Sequence, residues 1–136
     1  MKIFICCSKH FYVNISGIKE KLEKAGHEII LPNSYEEPFM EERIKSMSKE
    51  KHIEWKGEMI KGQKEKVSRS DAIFVLNYDK NGIKNYIGGA TFLEMYQAWE
   101  IGKKIYLLNE IPEGILRDEI CAFNPKIVNS RLEEIV

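Results

Sequence analysis

The stretch Ser70-Asp71-Ala72-Ile73-Phe74-Val75-Leu76-Asn77 decides the fold. Residues 72–76 are apolar without interruption, and polar residues close the run on both sides, Ser70-Asp71 before it and Asn77-Tyr78-Asp79 after it. A strand with one face in water alternates apolar and polar side chains, whereas an unbroken run marks a central parallel strand covered on both faces. Upstream, residues 49–69 read as a long polar helix whose apolar stripe is Ile53, Met59, Ile60 and Val67, with Gly62 weakening its middle. Gln63 lies three residues after Ile60 and four before Val67, so a polar side chain sits on the inward face. Downstream, a glycine-containing loop over 80–89 leads to a helix over 91–101, Gly102 closes it, and residues 104–108 supply the next apolar strand.

The outer parts of the chain repeat the alternation. Residues 2–7 read as a buried strand feeding the loop Ser8-Lys9-His10. Ile15, Ile18, Leu22 and Ala25 then recur at helical spacing ahead of Gly26, and residues 27–31 form a second short strand ended by Pro32-Asn33. Residues 34–48 have no sustained period and read as a loop with a short helix that could act as a flap. Beyond Pro112-Glu113-Gly114, residues 115–123 read as a short helix and 126–128 as a fifth strand. Strands alternating with helices predict one α/β domain over residues 1–136, a doubly wound three-layer sandwich of flavodoxin-like type around a mostly parallel sheet of about five strands. Ligands of such sheets collect beyond the carboxyl ends of the strands where strand order reverses, which nominates loops 7–11, 77–91 and 109–114.

Composition narrows the partners. Twenty-one basic residues balance twenty-one acidic ones, so no net field is expected to hold a nucleic acid polymer or an anionic membrane. A small molecule fits better. The opening apolar run, Ile3 to Cys7, is far too short to span a bilayer and lacks a signal-peptide pattern, which points to a cytoplasmic protein. Cys6, Cys7 and Cys121 form neither a disulfide framework nor a C-x-x-C pair, and His10, His27 and His52 are scattered, so no metal site and no cofactor are expected. The glycine patterns of dinucleotide and P-loop sites are missing as well.

The segment Asn85-Tyr86-Ile87-Gly88-Gly89-Ala90-Thr91-Phe92-Leu93-Glu94 holds the most chemistry. Two glycines let backbone approach a ligand, and a helix begins immediately after them, where free N–H groups and the helix dipole favour an anion. Glu94 is expected in the first turn, ionised near neutral pH as a nucleophile must be. Thr91-x-x-Glu94 also fits a capping box, a purely structural use of the same carboxylate. After the first strand, Ser8 and Lys9 with nearby backbone amides could take a phosphate, or form a solvated turn. Asn77 and Asp79 could hold ribose hydroxyls or only make a turn, and Tyr86 could stack on a base or pack against the loop. Trp55 and Trp99 read as packing residues.

Three features together, Ser70–Asn77, Tyr86-Ile87-Gly88-Gly89, and Glu94 with Ala98 and Gly102-Lys103-Lys104-Ile105-Tyr106-Leu107-Leu108 beyond it, resemble the nucleoside 2-deoxyribosyltransferase superfamily, which also holds nucleotide N-hydrolases. The resemblance spans roughly residues 1–110 in element order, with its motifs in 70–108. It implies that Glu94 attacks the anomeric carbon of a nucleoside or nucleoside 5'-monophosphate and forms a glycosyl-enzyme, which water or a second base releases. It further implies substrate contacts at Cys7, Ser8, Lys9, Gln63, Asn77, Asp79, Tyr86, Gly88 and Gly89, and assembly as a homodimer or larger homo-oligomer. Relatives place an aspartate where this chain has Gln63, and an aspartate or serine where it has Gly88. At the first strand they place an aromatic hydroxyl and a glycine where it has Phe4 and Cys7. Two other readings stand beside this one: a nucleotide-binding module without catalysis, and an interaction domain in which Glu94 is only a cap.

Overall fold

In the computed structural model, which describes residues 1–136, the apolar runs pair into a five-stranded sheet. The strands are β1 (Lys2–Cys6), β2 (Glu28–Ile30), β3 (Ala72–Val75), β4 (Lys104–Leu107) and β5 (Lys126–Ile127). All pairings are parallel and the spatial order is β2-β1-β3-β4-β5. The helices are α1 (Ile15–Lys24), α2 (Met40–Met47), α3 (Lys49–Arg69), α4 (Gly89–Glu100) and α5 (Arg117–Ala122), with 3-10 turns at Lys9–Asn14 and Leu132–Glu134. This is a single-domain α/β three-layer fold.

The period of two along each strand separates two cores. Phe4, Cys6, Ile73, Val75, Ile105 and Leu107 face α3, α4 and α5, meeting Val67, Met95, Ala98 and Ile120. Ile3, Ile5, Ala72, Phe74, Tyr106 and Leu108 face the opposite side, meeting Ile15 and Leu22 of α1 and Val128 and Ile135 near the carboxyl terminus. Every residue of β3 is buried, as its unbroken apolar run requires. Each fully buried side chain of this size contributes ~1.5–3 kcal/mol of transfer free energy, so the two cores dominate the stability of the fold.

Helix α3 is longer than the layer it covers. Twenty-one residues span ~32 Å at helical rise, against ~13 Å for the four residues of β3. Only Val67, close to its carboxyl end, is fully buried. Because α3 runs antiparallel to the strand it precedes, its amino-terminal half projects beyond the carboxyl edge of the sheet. The Ser48 hydroxyl caps that end by accepting from Lys51 N at 3.3 Å. Asn33 then packs against the middle of the helix and donates to Met59 O at 3.2 Å. A Cβ on Gly62 would lie 2.6 Å from Asn33 Nδ2, so glycine is what permits this close approach.

Two sequence expectations change here. Helix α4 begins at Gly89 rather than at Thr91, with Gly88 as its N-cap and no side-chain cap bond. Thr91 therefore lies inside the first turn and Glu94 in the second, and both are buried. The capping-box reading fails, since that device needs Thr91 outside the helix and its partner in the first turn. The segment 34–48 does contain a short helix, α2, which packs on α3 and contains no fully buried residue. No helix is long and apolar enough to cross a membrane.

Candidate active site

Strand order reverses between β1 and β3, and the loops leaving their carboxyl ends part to open a crevice there. The overshooting half of α3 walls one side, the start of α4 the other, and α2 lies over the mouth. The result is a cavity of about 250 Å³. Cys7, Ser8 and Lys9 line it from the β1 loop, Gln63 from α3, and Tyr86, Gly88, Gly89 and Glu94 from the α4 side. Eight of the ten candidate site residues, from three separate stretches of sequence, thus meet around one hollow.

Asn77 and Asp79 do not join them. The Asn77 side chain is fully buried and its polar atoms are consumed: Nδ2 donates to Asn109 O at 3.1 Å and Glu110 O at 3.0 Å, and Oδ1 accepts from Asn109 N at 2.9 Å. It fastens the end of β3 to the end of β4 and leaves no group for a ribose. Asp79 accepts from Asn85 N at 3.0 Å and holds the 80–89 loop closed, away from the cavity. Both act as the turn and strand-end residues that Asn and Asp commonly are.

Glu94 is only 4% exposed, at the inner end of the cavity. Burial raises its pKa to about 8, against the adjacent Cys6 thiol and Lys66 ammonium, which favour the ionised form. The expected ionised carboxylate is therefore corrected: at pH 7 most of the population carries a proton, because desolvation in the second turn of α4 outweighs the Cys6 hydrogen bond and the Lys66 charge. The Cys6 thiol has one proton and two acceptors in reach, Phe4 O at 3.7 Å and the Glu94 carboxyl. Burial, and then the Glu94 charge, push both Cys6 and Cys7 thiols well up, so neither supplies a thiolate at neutral pH. Gln63 Oε1 is buried in the same hollow without a hydrogen-bond partner, an acceptor open to a ligand's donor.

The structure adds residues that the sequence did not nominate. Trp55, read as a packing residue, lines the cavity, as do Tyr12, Glu41, Lys56 and Lys80. Lys80 Nζ stands 4.4 Å from the centroid of the Tyr86 ring, fixing that ring against the Gly88 turn, where the Tyr86 hydroxyl lies 3.1 Å from the place of a Cβ. Lys9 is drawn to the flap, pairing with Glu42 and lying 3.9 Å from Glu41. Burial alone would raise the Glu41 pKa, but hydrogen bonds from His52 and Lys56 outweigh it and hold the carboxyl below its usual range. No three His, Cys, Asp or Glu side chains converge as a set of metal ligands. Comparison with family models, with curated proteins and with solved structures finds no significant match to this chain.

Proposed function

We propose that this protein cleaves or transfers the N-glycosidic bond of a nucleoside or nucleoside 5'-monophosphate, with Glu94 as the nucleophile. The observation that carries this reading is one carboxyl group at the inner end of a small-molecule cavity, held in no ion pair, at the switch point of a doubly wound sheet. The other carboxylate of the lining, Glu41, is tied up by His52 and Lys56. A carboxylate oxygen of Glu94 bonds to the anomeric carbon as the carbon–nitrogen bond breaks, and the electron pair leaves on the base. The departing base takes its proton from water. Water or a second base then attacks the same carbon, gives up a proton to solvent, and frees Glu94 as a carboxylate. This divides one passage through an oxocarbenium-like centre into two smaller steps.

The remaining lining residues position the substrate. The Gln63 amide bonds to base or sugar but has no acidic proton to give. Tyr86 offers a ring face to a base. Ser8, Lys9 and the Gly88-Gly89 turn line the same hollow. Free cysteines support a reducing, cytoplasmic setting. The exposed stripe of Leu93, Tyr96 and Trp99 on α4 supports a homo-oligomer.

The test is a panel of nucleosides and their 5'-monophosphates with detection of free base. The expected result is release by the parent and a loss of about a thousandfold or more in Glu94→Gln. No release by either protein removes the enzyme reading. A second reading, a binding module without turnover, is favoured by the neutral state of Glu94 at pH 7 and by glutamine at position 63. Thermal stabilisation by these ligands with no free base would select it.

A further inference from the structure

We propose that Lys9, His52 and Lys56 form an anion subsite at the mouth of the cavity, built for the phosphate monoester of a ligand, and that the Glu41 carboxylate of α2 is its intramolecular placeholder. Glu41 is gathered from two elements: His52 Nε2 and Lys56 Nζ of α3 lie 3.0 and 3.2 Å from Oε2, while Lys9 Nζ from the β1 loop lies 3.9 Å from Oε1. Glu42 pairs with Lys9 as well. Helix α2 contains no fully buried residue, and these ion pairs tie it both to α3 and to the β1 loop. A phosphate monoester carries a charge of about −1.5 to −2 and three acceptor oxygens at pH 7, against one charge and two oxygens for a carboxylate. It therefore has the charge and the acceptors to displace Glu41 from the same three donors.

The charge of the lining agrees. Lys9, Lys56 and Lys80 face the cavity, while Glu41 is its one ionised carboxylate, since burial leaves Glu94 mostly neutral at pH 7. Even with Glu42, which pairs with Lys9 from outside the lining, two carboxylates do not neutralise three ammonium groups. Trp55 stacks beside His52, with centroids 6.3 Å apart and planes 21° apart, which orients the imidazole toward the flap. Lys56 Nζ lies 5.9 Å from the same indole centroid. The subsite rests on the reading of this cavity as a nucleotide pocket but not on any bond being broken there.

Binding is measured by calorimetry on the Glu94→Gln protein, so that turnover plays no part, with adenosine, AMP, thymidine, dTMP and inorganic phosphate as probes. The monophosphates are expected to bind at least ~10-fold tighter than their nucleosides, as two or three charge-assisted bonds allow. Adding Lys56→Ala should remove most of that preference, weakening the monophosphates far more than the nucleosides. Adding Glu41→Gln should instead increase monophosphate affinity, about fivefold. Inorganic phosphate that competes with AMP places the phosphate alone as the recognised group; monophosphate preference without such competition still supports the subsite as part of a larger ligand. Equal binding of nucleosides and monophosphates, a preference that survives Lys56→Ala, or no binding of any probe overturns the proposal. Tighter monophosphate binding together with no base release from the parent leaves the subsite standing and removes the glycosidic reading.

Discussion

Replacing Glu94 by glutamine should change the pH dependence of stability in a way that no surface carboxylate can reproduce. The carboxyl titrates near its ordinary 4.5 in the unfolded chain and at about 8 in the folded protein. Below pH 4.5 both states hold the proton, and burial of a neutral acid costs nothing extra. Between 4.5 and 8 the unfolded chain has released it and the folded protein has not, so the folded state binds more protons and stability falls as pH rises. The slope reaches ~1.4 kcal/mol per pH unit, and over the whole window the loss amounts to about 4–5 kcal/mol. Glutamine has nearly the shape of the neutral acid and cannot ionise. The variant should therefore lie within about 1 kcal/mol of the parent near pH 5 and exceed it by several kcal/mol at pH 8.5. Urea unfolding of both proteins at half-unit steps from pH 5 to 9 measures this as a difference of differences, in which all other titrating groups cancel. Parallel curves would mean that the carboxyl is already ionised, or open to water, and the reasoning about its burial would fail.

Other outcomes follow from the same geometry. If Glu94 attacks as a carboxylate, kcat/KM for base release should rise tenfold per pH unit and level off near 8; a fall above 8 would make it a proton donor instead. Asn77→Ala should destabilise by about 2–4 kcal/mol, because it abandons buried partners on Asn109 and Glu110, and it should leave KM unchanged; a large rise in KM with intact stability would return Asn77 to the site. Gly57→Ala, with open space where its Cβ would stand, should raise stability by about 0.5–1 kcal/mol. Gly62→Ala should gain less than that or lose stability, since its Cβ meets Asn33, and thermal melting of the pair separates helix propensity from contact.

Most of the architecture was legible because it depends on local pattern. The unbroken run at 72–76 and the stripe at 49–69 predicted β3 and α3, and the observed α3 begins and ends where Ser48 and Ser70 stand. The strands stop a residue earlier than their apolar runs at Cys7 and Leu76, because the parting of the chain at the crevice ends the ladder before it ends the hydrophobicity. The start of α4 is not legible in the sequence because two glycines, poor helix formers, stand at its N-cap and first position, and the Thr91–Glu94 spacing imitates a cap. What could not be read was set by distances between elements. Trp55 lines the cavity because α3 overshoots the sheet, a matter of relative length. Glu94 is neutral because of what surrounds it, and Asn77 is occupied by a loop 32 residues away.

The slender attachment of α2 separates traffic from durability. Since α2 contributes no fully buried residue, its release from α3 would leave both cores behind it intact, and amide exchange in residues 40–47 should outpace that of β1 and β3 by orders of magnitude. Lineages of such a protein would be free to rewrite the threshold, altering which guests are admitted and how long they stay, without retuning the frame that holds the door.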